Sequence, residues 1–211
     1  MFDKGSHWSS VNGLQTLIPH AILSSLLGYQ YILPDMVGGN VYDSGFNGSY
    51  VPDKELFIRW LQISTFLPSI QYSISPWQYE DEEVSSICKY WTDFHRTVIA
   101  PIYESTFEKY ISGESILPIV PVSFFASHAE LDRDISILSI TQQFVIAEKY
   151  LVAPAVNEGQ REIDVYLPDE NACWEEYFTG VRVLGGSYQF NTKIGLSEVS
   201  FWIKYDAVEC Y

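Results

Sequence analysis

The sequence predicts an α/β fold over its first two thirds and an antiparallel sheet or sandwich over the remainder. Two observations support this. Before about residue 145, apolar residues recur mainly at helical spacing, with short apolar runs between the helices. After that point, strand-like segments follow at short intervals and are separated by turn residues such as Gly185-Gly186. Strand–helix alternation is typical of α/β architecture, whereas successive strands are typical of antiparallel sheets.

The first elements are a helix, a short strand and a glycine-rich loop. Asn12 is a plausible N-cap for the helix, and Gly28 suits its end. Pro19 falls inside the helical pattern and predicts a kink or a later start. Residues 29–33 then predict a strand that runs into Asp35 and the loop.

Two more helices and a strand complete the first part. One helix is expected to begin at the cap residue Asp53, and the next covers about 82–100, where Pro101 kinks or ends it. Residues 117–125 are strand-like despite two prolines. The predicted strands of the second part are 150–156, 162–167, 175–178, 181–184, 188–191 and 199–205.

Length and composition exclude several classes of protein. The chain has 211 residues, fewer than the roughly 250 of a typical complete eight-stranded α/β barrel. Its formal net charge of −15 disfavours both a nucleic-acid partner and a polybasic membrane anchor. No apolar run reaches about 18 residues, so no transmembrane segment is predicted, and the first residues do not resemble a signal peptide.

Cysteine and histidine spacing predicts no metal site and no cofactor. Cys88, Cys173 and Cys210 are few, odd in number and far apart, so a disulfide framework is improbable. The four histidines are scattered and show no ligand spacing.

Asp35 is the first candidate functional residue. In α/β barrels, functional side chains lie where strands end and loops begin. Asp35 is therefore expected either to contact a ligand hydroxyl or to neighbour a catalytic group. The alternative is that it caps a loop and contacts no ligand.

An ordered set of motifs indicates a family. The runs are Lys4-Gly5-Ser6-His7-Trp8, Asn12-Gly13-Leu14, Leu33-Pro34-Asp35-Met36-Val37-Gly38-Gly39-Asn40, residues 55–62, Phe66-Leu67-Pro68, Ser75-Pro76-Trp77, Leu151-Val152-Ala153-Pro154 and residues 164–168. Each run is weak alone, but together and in this order they resemble the last part of a family 31 glycoside hydrolase. The resemblance implies that residues 1–143 are the C-terminal part of a (β/α)8 barrel. Residues 144–211 would then form an antiparallel β-sandwich.

The implied reaction is retaining hydrolysis of an α-glucoside or α-galactoside by two carboxylates. Family members carry the nucleophile upstream of everything matched here, so it lies outside this chain. The acid/base aspartate of the family falls three residues after the tryptophan that matches Trp8, and that position is Val11. Valine has no titratable proton. No intact catalytic residue is therefore expected, and the chain is predicted to be partial and inactive.

Two further observations concern sugar recognition. Many family members hold sugar hydroxyls with Arg and His where this chain has Gln71 and Ser73, and one branch of the family departs there in the same way. Trp8 is a candidate for stacking on a sugar face, and Trp60 is a weaker one. The alternative for both is a place in the core.

Asn47 begins an Asn-Gly-Ser sequon and is a candidate glycosylation site. Together with the resemblance, it favours the secretory-pathway lumen or the extracellular space. The expected partner is a carbohydrate, and the oligomeric state is not predicted. Two alternatives to the partial hydrolase stay open: a non-catalytic sugar-binding or regulatory pseudoenzyme, and a fragment that does not fold alone.

Overall fold

The computed structural model describes residues 3–41 and 50–210. The helices in this part are α1 (Leu17–Leu26), α2 (Lys54–Thr65), α3 (Glu82–Phe94), α4 (Ala100–Ile111) and α5 (His128–Arg133). The strands are β1 (Ile119–Pro121), β2 (Phe144–Ile146), β3 (Tyr150–Ala153), β4 (Glu162–Leu167), β5 (Ala172–Glu176), β6 (Arg182–Leu184), β7 (Ser187–Lys193) and β8 (Ser200–Asp206). Helices thus precede strands along most of the chain.

The strands form two antiparallel sheets. One has six strands in the order β1-β2-β3-β8-β5-β6, and the other pairs β4 with β7. In the larger sheet Leu151 lies opposite Trp202, and Val152 lies opposite Phe201. Neighbouring residues of one strand point to opposite faces. Val152 and Phe201 accordingly join the apolar cluster formed by the helices, whereas Leu151 and Trp202 join the cluster shared with the two-stranded sheet. The central strands of the six-stranded sheet are therefore covered on both faces.

Helix α2 begins where the sequence predicts. The carboxylate of Asp53 accepts hydrogen bonds from the backbone N–H groups of Glu55 and Leu56, which satisfies two donors that the helix start leaves unpaired. Every residue from Leu56 to Thr65 is buried. This helix is the centre of the helical layer.

Arg59 is the one charged residue buried within α2. Its guanidinium donates to the side-chain oxygen of Gln62 at 2.9 Å and to the backbone carbonyls of Glu198 at 3.1 Å and Gln160 at 3.2 Å. Burial lowers the pKa of Arg59 to about 10, opposed by the negative charge of Glu55. The guanidinium therefore connects the helical layer to two loops of the strand-rich part.

Pro101 does not end the third predicted helix. Helix α3 passes into a π-helical turn over His95–Ile99, and α4 follows directly. Pro101 lies in the first turn of α4, directly after the π-helical turn. Pro19 is likewise placed in the first turn of α1, so the helix starts later than the apolar pattern suggests.

The strand predicted over residues 29–33 is wrong. These residues belong to no strand, and the pairing that follows them, between Met36 and Gln71, is an isolated bridge. An extended segment becomes a strand only when a neighbour accepts and donates its backbone hydrogen bonds. Among the described residues no such ladder forms there. Strand β2 and helix α5 were not predicted, because elements of only three and six residues leave too short a pattern.

The expectation about disulfides is also wrong. Cys173 and Cys210 are joined by a disulfide with a Cα–Cα distance of 5.5 Å, and Cys88 is a buried free thiol. Strand β5 brings the two cysteines together because it pairs with β8, which leads into the C-terminal turn. Their separation of 37 residues gave no local sign of this pairing.

No helix in residues 3–41 and 50–210 is long and apolar enough to cross a membrane. The domain boundary between residues 143 and 144 stays a prediction.

Candidate functional site

The candidate site is built on two chain segments that lie side by side, residues 4–14 and the loop at 35–40. Gly5 forms a parallel bridge with Asn40. The Asn40 N–H donates to the carbonyl of Lys4 at 2.7 Å, and the Ser6 N–H donates to the carbonyl of Asn40 at 2.8 Å. These bonds fix the loop against the segment that contains Trp8 and Val11.

Gly39 permits this close approach. Its φ is +73°, a conformation that favours glycine. A Cβ at this position would lie 2.7 Å from the ring of Trp60 and 2.9 Å from the backbone of Gly5. The Gly38-Gly39 pair therefore serves both the turn and the packing.

The carboxylate of Asp35 is fully buried and holds the two segments together. It accepts hydrogen bonds from the Lys4 N–H at 2.5 Å, from the Met36 N–H at 2.7 Å and from the Asn40 side-chain amide at 3.0 and 3.2 Å. Asp35 has a φ of +134°, which is strained for a residue with a side chain. Burial raises the pKa of Asp35, opposed by the hydrogen bonds from Lys4, Met36 and Asn40.

A pair of basic residues, the buried Lys4 and the half-buried His20, lies beside Asp35. Lys4 is 2% exposed, and its ammonium donates to Nδ1 of His20 at 2.5 Å. Burial lowers the pKa of Lys4, opposed by the charge of Asp35. Burial also lowers the pKa of His20, and the charge of Lys4 lowers it further. Lys4 and Asn40 lie 31 and 5 residues from Asp35 along the chain, and His20 lies 16 residues from Lys4, so no local pattern predicts that these residues meet. Lys4 and Asn40 were nevertheless inside the quoted motifs.

Val11 lies on an exposed turn of the same segment. Its side chain is 86% exposed, and its N–H donates to the hydroxyl of Ser9 at 2.9 Å. The turn is tightly closed, since the Gly13 N–H donates to the carbonyl of Ser9 and the Leu14 N–H to the carbonyl of His7, both at 3.0 Å. A large exposed apolar side chain gains nothing from burial here.

The aromatic candidates differ. Trp8 is partly exposed and packs against the main apolar cluster. Trp60 is fully buried, so the core interpretation holds for it. Gln71 meets the loop through its backbone carbonyl, which accepts from the Val37 N–H at 2.8 Å. Asn47 lies outside the described residues. Within the described part of the chain, no group of three or more His, Cys, Asp or Glu residues could hold a metal ion.

Two family models match the chain. Residues 3–105 match the TIM-barrel domain of the glycosyl hydrolases of family 31, and residues 116–208 match the family's C-terminal domain. Together they cover most of the sequence.

Curated relatives and solved structures agree with this match. The mouse myogenesis-regulating glycosidase is 36% identical over 84% of this chain and 24% of its own length. The SITS-binding protein of Tetronarce californica is 31% identical over 97% of this chain and 28% of its own. A xylosidase from Aspergillus niger superposes with a TM-score of 0.78 at 19% identity, covering 99% of this chain and 32% of the other.

The chain therefore spans about a quarter of the length of these curated relatives. The predicted fold class, a portion of a family 31 TIM barrel followed by a largely antiparallel domain, is confirmed. The resemblance to the branch of the family that includes the myogenesis-regulating glycosidase is confirmed as well, because that protein is 36% identical over 84% of this chain. The chain belongs to glycosyl hydrolase family 31.

Proposed function

We propose that this chain is the closing part of a family 31 α-glycosidase and does not catalyse the reaction by itself. The family reaction is retaining hydrolysis of an α-glucoside or α-galactoside. The observation that carries the proposal is Val11, an exposed valine at the position that matches the family's acid/base aspartate.

The chemistry requires more than this chain offers. A retaining glycosidase uses two carboxylates about 5–5.5 Å apart, one as nucleophile and one as acid and then base. The nucleophile matches nothing in these residues, and Val11 supplies no proton. Among the residues that the structure describes, no acidic residue lies between Asp3 and Asp35 along the chain.

Asp35 is a poor substitute for either carboxylate. Its side chain is enclosed, and three different groups donate hydrogen bonds to it. A general acid must lie within hydrogen-bond reach of the leaving oxygen. Asp35 reaches a sugar only if its bonds to Lys4 and Asn40 open, so we assign it the shaping of the loop. Trp8 is the better candidate for direct contact with a sugar, because part of its indole is exposed.

Turnover of aryl glycosides tests the inactivity. The full chain is assayed with 4-nitrophenyl α-glucoside and α-galactoside, beside Val11→Asp. No turnover is expected from either protein, since one added carboxylate does not replace two. Any turnover by the wild type contradicts the proposal, and Asp35→Asn beside Asp3→Asn would then show whether that turnover depends on Asp35.

A sugar-binding or regulatory pseudoenzyme is the second candidate. The half-exposed Trp8 beside an intact loop favours it. Calorimetry with glucose, galactose and maltose tests it, with Trp8→Ala as the variant. Trp77→Ala is the matched control, because Trp77 is 73% exposed and lies away from the loop in sequence. Absence of binding at about 10 mM sugar would remove this candidate. It would mean a standard free energy of binding weaker than about −3 kcal/mol.

We also propose a secretory-pathway or extracellular location. Disulfides persist in oxidising compartments, so the Cys173–Cys210 bond adds to the argument from the Asn47 sequon. Expression in a secreting eukaryotic cell should give a protein whose gel mobility increases on enzymatic deglycosylation. Asn47→Gln should abolish that change, and an unmodified wild type would contradict use of the sequon.

A further inference from the structure

A cleft opens at one end of the strand-rich part, between the two sheets. Its volume is about 760 Å³, within the range of sites that bind small ligands. One wall comes from α3 and the β5–β6 turn, and the other comes from β7 and the loop that follows it. It shares no residue with the Asp35 cluster.

Aromatic rings form one side of this cleft. Tyr90 on α3 is 49% exposed and Phe178 on the turn is 43% exposed. Both belong to one group of rings, since Trp91 lies 5.1 Å from Tyr90 and 6.1 Å from Phe178 between ring centroids. Trp91 itself is fixed by a hydrogen bond from its indole N–H to the carbonyl of Ser197 at 3.1 Å. The two exposed rings are therefore held on a rigid base and offer flat apolar surface to a ligand.

Hydrogen-bonding groups face the rings. Gln189 and Thr192 of β7 line the opposite wall, so the cleft holds an amide and a hydroxyl that both donate and accept. Glu176 and Glu198 add carboxylates. Oε2 of Glu176 accepts hydrogen bonds from the backbone N–H groups of Phe178 and Thr179. Oε2 of Glu198 accepts one from the backbone N–H of Gly195. Among the described residues, Oε1 of neither carboxylate receives a hydrogen bond.

The charges decide which ligands fit. Lys193 is the cation in the lining, and it forms an ion pair with Glu162. With two carboxylates in the cleft and a net charge of −15 on the chain, a phosphate or another anion is repelled. The remaining polar groups are neutral amides and hydroxyls, which suit a ligand with many hydroxyl groups and no charge.

We propose that this cleft binds a neutral saccharide. The C–H face of a pyranose ring would lie on Tyr90 and Phe178. Its hydroxyls would donate to the Oε1 atoms of Glu176 and Glu198 and exchange hydrogen bonds with Gln189. This inference does not depend on the proposed function, because it uses none of the residues matched to the catalytic machinery.

Calorimetric titration of the full chain with maltotriose and with methyl α-galactoside tests the proposal. Binding of at least one of them is expected, and Tyr90→Ala and Phe178→Ala should each weaken it about tenfold. Tyr110→Ala is the matched control for Tyr90, since Tyr110 is 47% exposed on α4 and outside the cleft. Phe124→Ala is the matched control for Phe178→Ala, since Phe124 is 59% exposed and lies outside the cleft. Both controls should bind like the wild type.

Further variants keep the outcome decisive. Val181→Trp places a large side chain at the mouth of the cleft without removing any group from the aromatic base. It should block binding while leaving the unfolding temperature unchanged. Binding that survives Val181→Trp but is lost in Trp8→Ala would place the sugar elsewhere and overturn the proposal. Absence of binding at about 10 mM sugar would also overturn the proposal. Binding of choline chloride without binding of either sugar would overturn it too, because it would indicate a site for an organic cation.

Discussion

The helical part of the chain and the strand-rich part obtain their backbone hydrogen bonds in different ways. The helices from α1 to α4 complete theirs internally, so they form from local sequence and pack around α2. Residues 29–33 need a neighbouring strand and form no ladder among the described residues. In the strand-rich part every strand of the larger sheet has its partner, and a disulfide joins β5 to the C-terminal turn. Helices thus form without a partner segment, whereas a strand does not. The following four predictions probe the two parts and the contact between them.

The largest effect is expected for Phe201→Ala. Phe201 is fully buried. The centroid of its ring lies 5.0 Å from that of Phe66, 6.0 Å from that of Phe94 and 5.2 Å from that of Tyr177. Its side chain therefore connects the helical and the strand-rich parts. Its loss should lower the free energy of unfolding by about 3–5 kcal/mol. Urea unfolding followed by circular dichroism measures it.

The control for this change is Phe124→Ala, which should cost less than about 0.5 kcal/mol because Phe124 is exposed. Two separate unfolding transitions in Phe201→Ala, with the helical signal unchanged in the first, would show that the parts are independent. A cost below about 1 kcal/mol would contradict the predicted connection.

Cys210→Ser is expected to have the next largest effect. Opening a loop closed over 37 residues should destabilise the protein by about 3–4 kcal/mol, since the unfolded chain gains freedom. The measurement is the thermal unfolding temperature with and without reductant. Reductant should lower it in the wild type and leave Cys210→Ser unaffected, and an unaffected wild type would show that the bond does not form.

Asp35→Asn probes the loop in the helical part. The amide cannot accept all the hydrogen bonds that the carboxylate accepts, so a loss of about 1–3 kcal/mol is expected at neutral pH. Asp3→Asn is the matched control, because Asp3 is exposed and its carboxylate also accepts from the Asn40 side chain, at 3.1 Å. It should cost little.

The pH dependence of that difference has a definite sign. The pKa of Asp35 is raised in the folded protein. Its favourable contribution is therefore complete below the ordinary carboxyl pKa and is lost as the pH rises through the folded value. The stability advantage of the wild type over Asp35→Asn should grow as the pH falls from neutral through the weakly acidic range. An advantage that shrinks instead would contradict the direction of the shift.

The smallest effect is expected for His95→Gln at the turn between α3 and α4. The His95 side chain donates to the carbonyl of Thr65 at 2.7 Å, and burial lowers its pKa below 6.5. Its contribution is present above the ordinary histidine pKa and is lost as the pH falls through the lower folded value. The wild type should lose stability in this way as the solution becomes weakly acidic, and His95→Gln should show a shallower slope. Equal slopes in the two proteins would exclude His95 as the source.

Local chemistry made part of the fold predictable. Asp53 was recognised as a helix cap because a carboxylate before an apolar repeat satisfies the first N–H groups. Residues 162–167 were recognised as a strand with the correct bounds, since apolar and polar residues alternate there and turn residues flank them. In both cases the determining interactions lie within a few residues.

The remaining features depend on contacts between distant residues. The Cys173–Cys210 pairing follows from the order of strands in the sheet. The spacing of the cysteines along the sequence does not predict that order. Lys4 and Asn40 meet Asp35 because two segments lie in parallel, which only the folded chain shows. The ordered motifs predicted the family and pointed to Val11. The roles of Trp8, Asp35 and Val11 stay predictions that the assays above address.

Arg59 has a consequence for how sequences of this fold can diverge. Two of its three acceptors are the main-chain carbonyls of Gln160 and Glu198. A main-chain carbonyl is present whatever the side chain, so substitutions in these two loops leave the junction intact. Insertions or deletions in the same loops would move the carbonyls and leave the buried guanidinium of Arg59 without these acceptors. We therefore expect homologous chains to vary freely in residue type at these loops while keeping their lengths, and chimeras to fold when the loop lengths match.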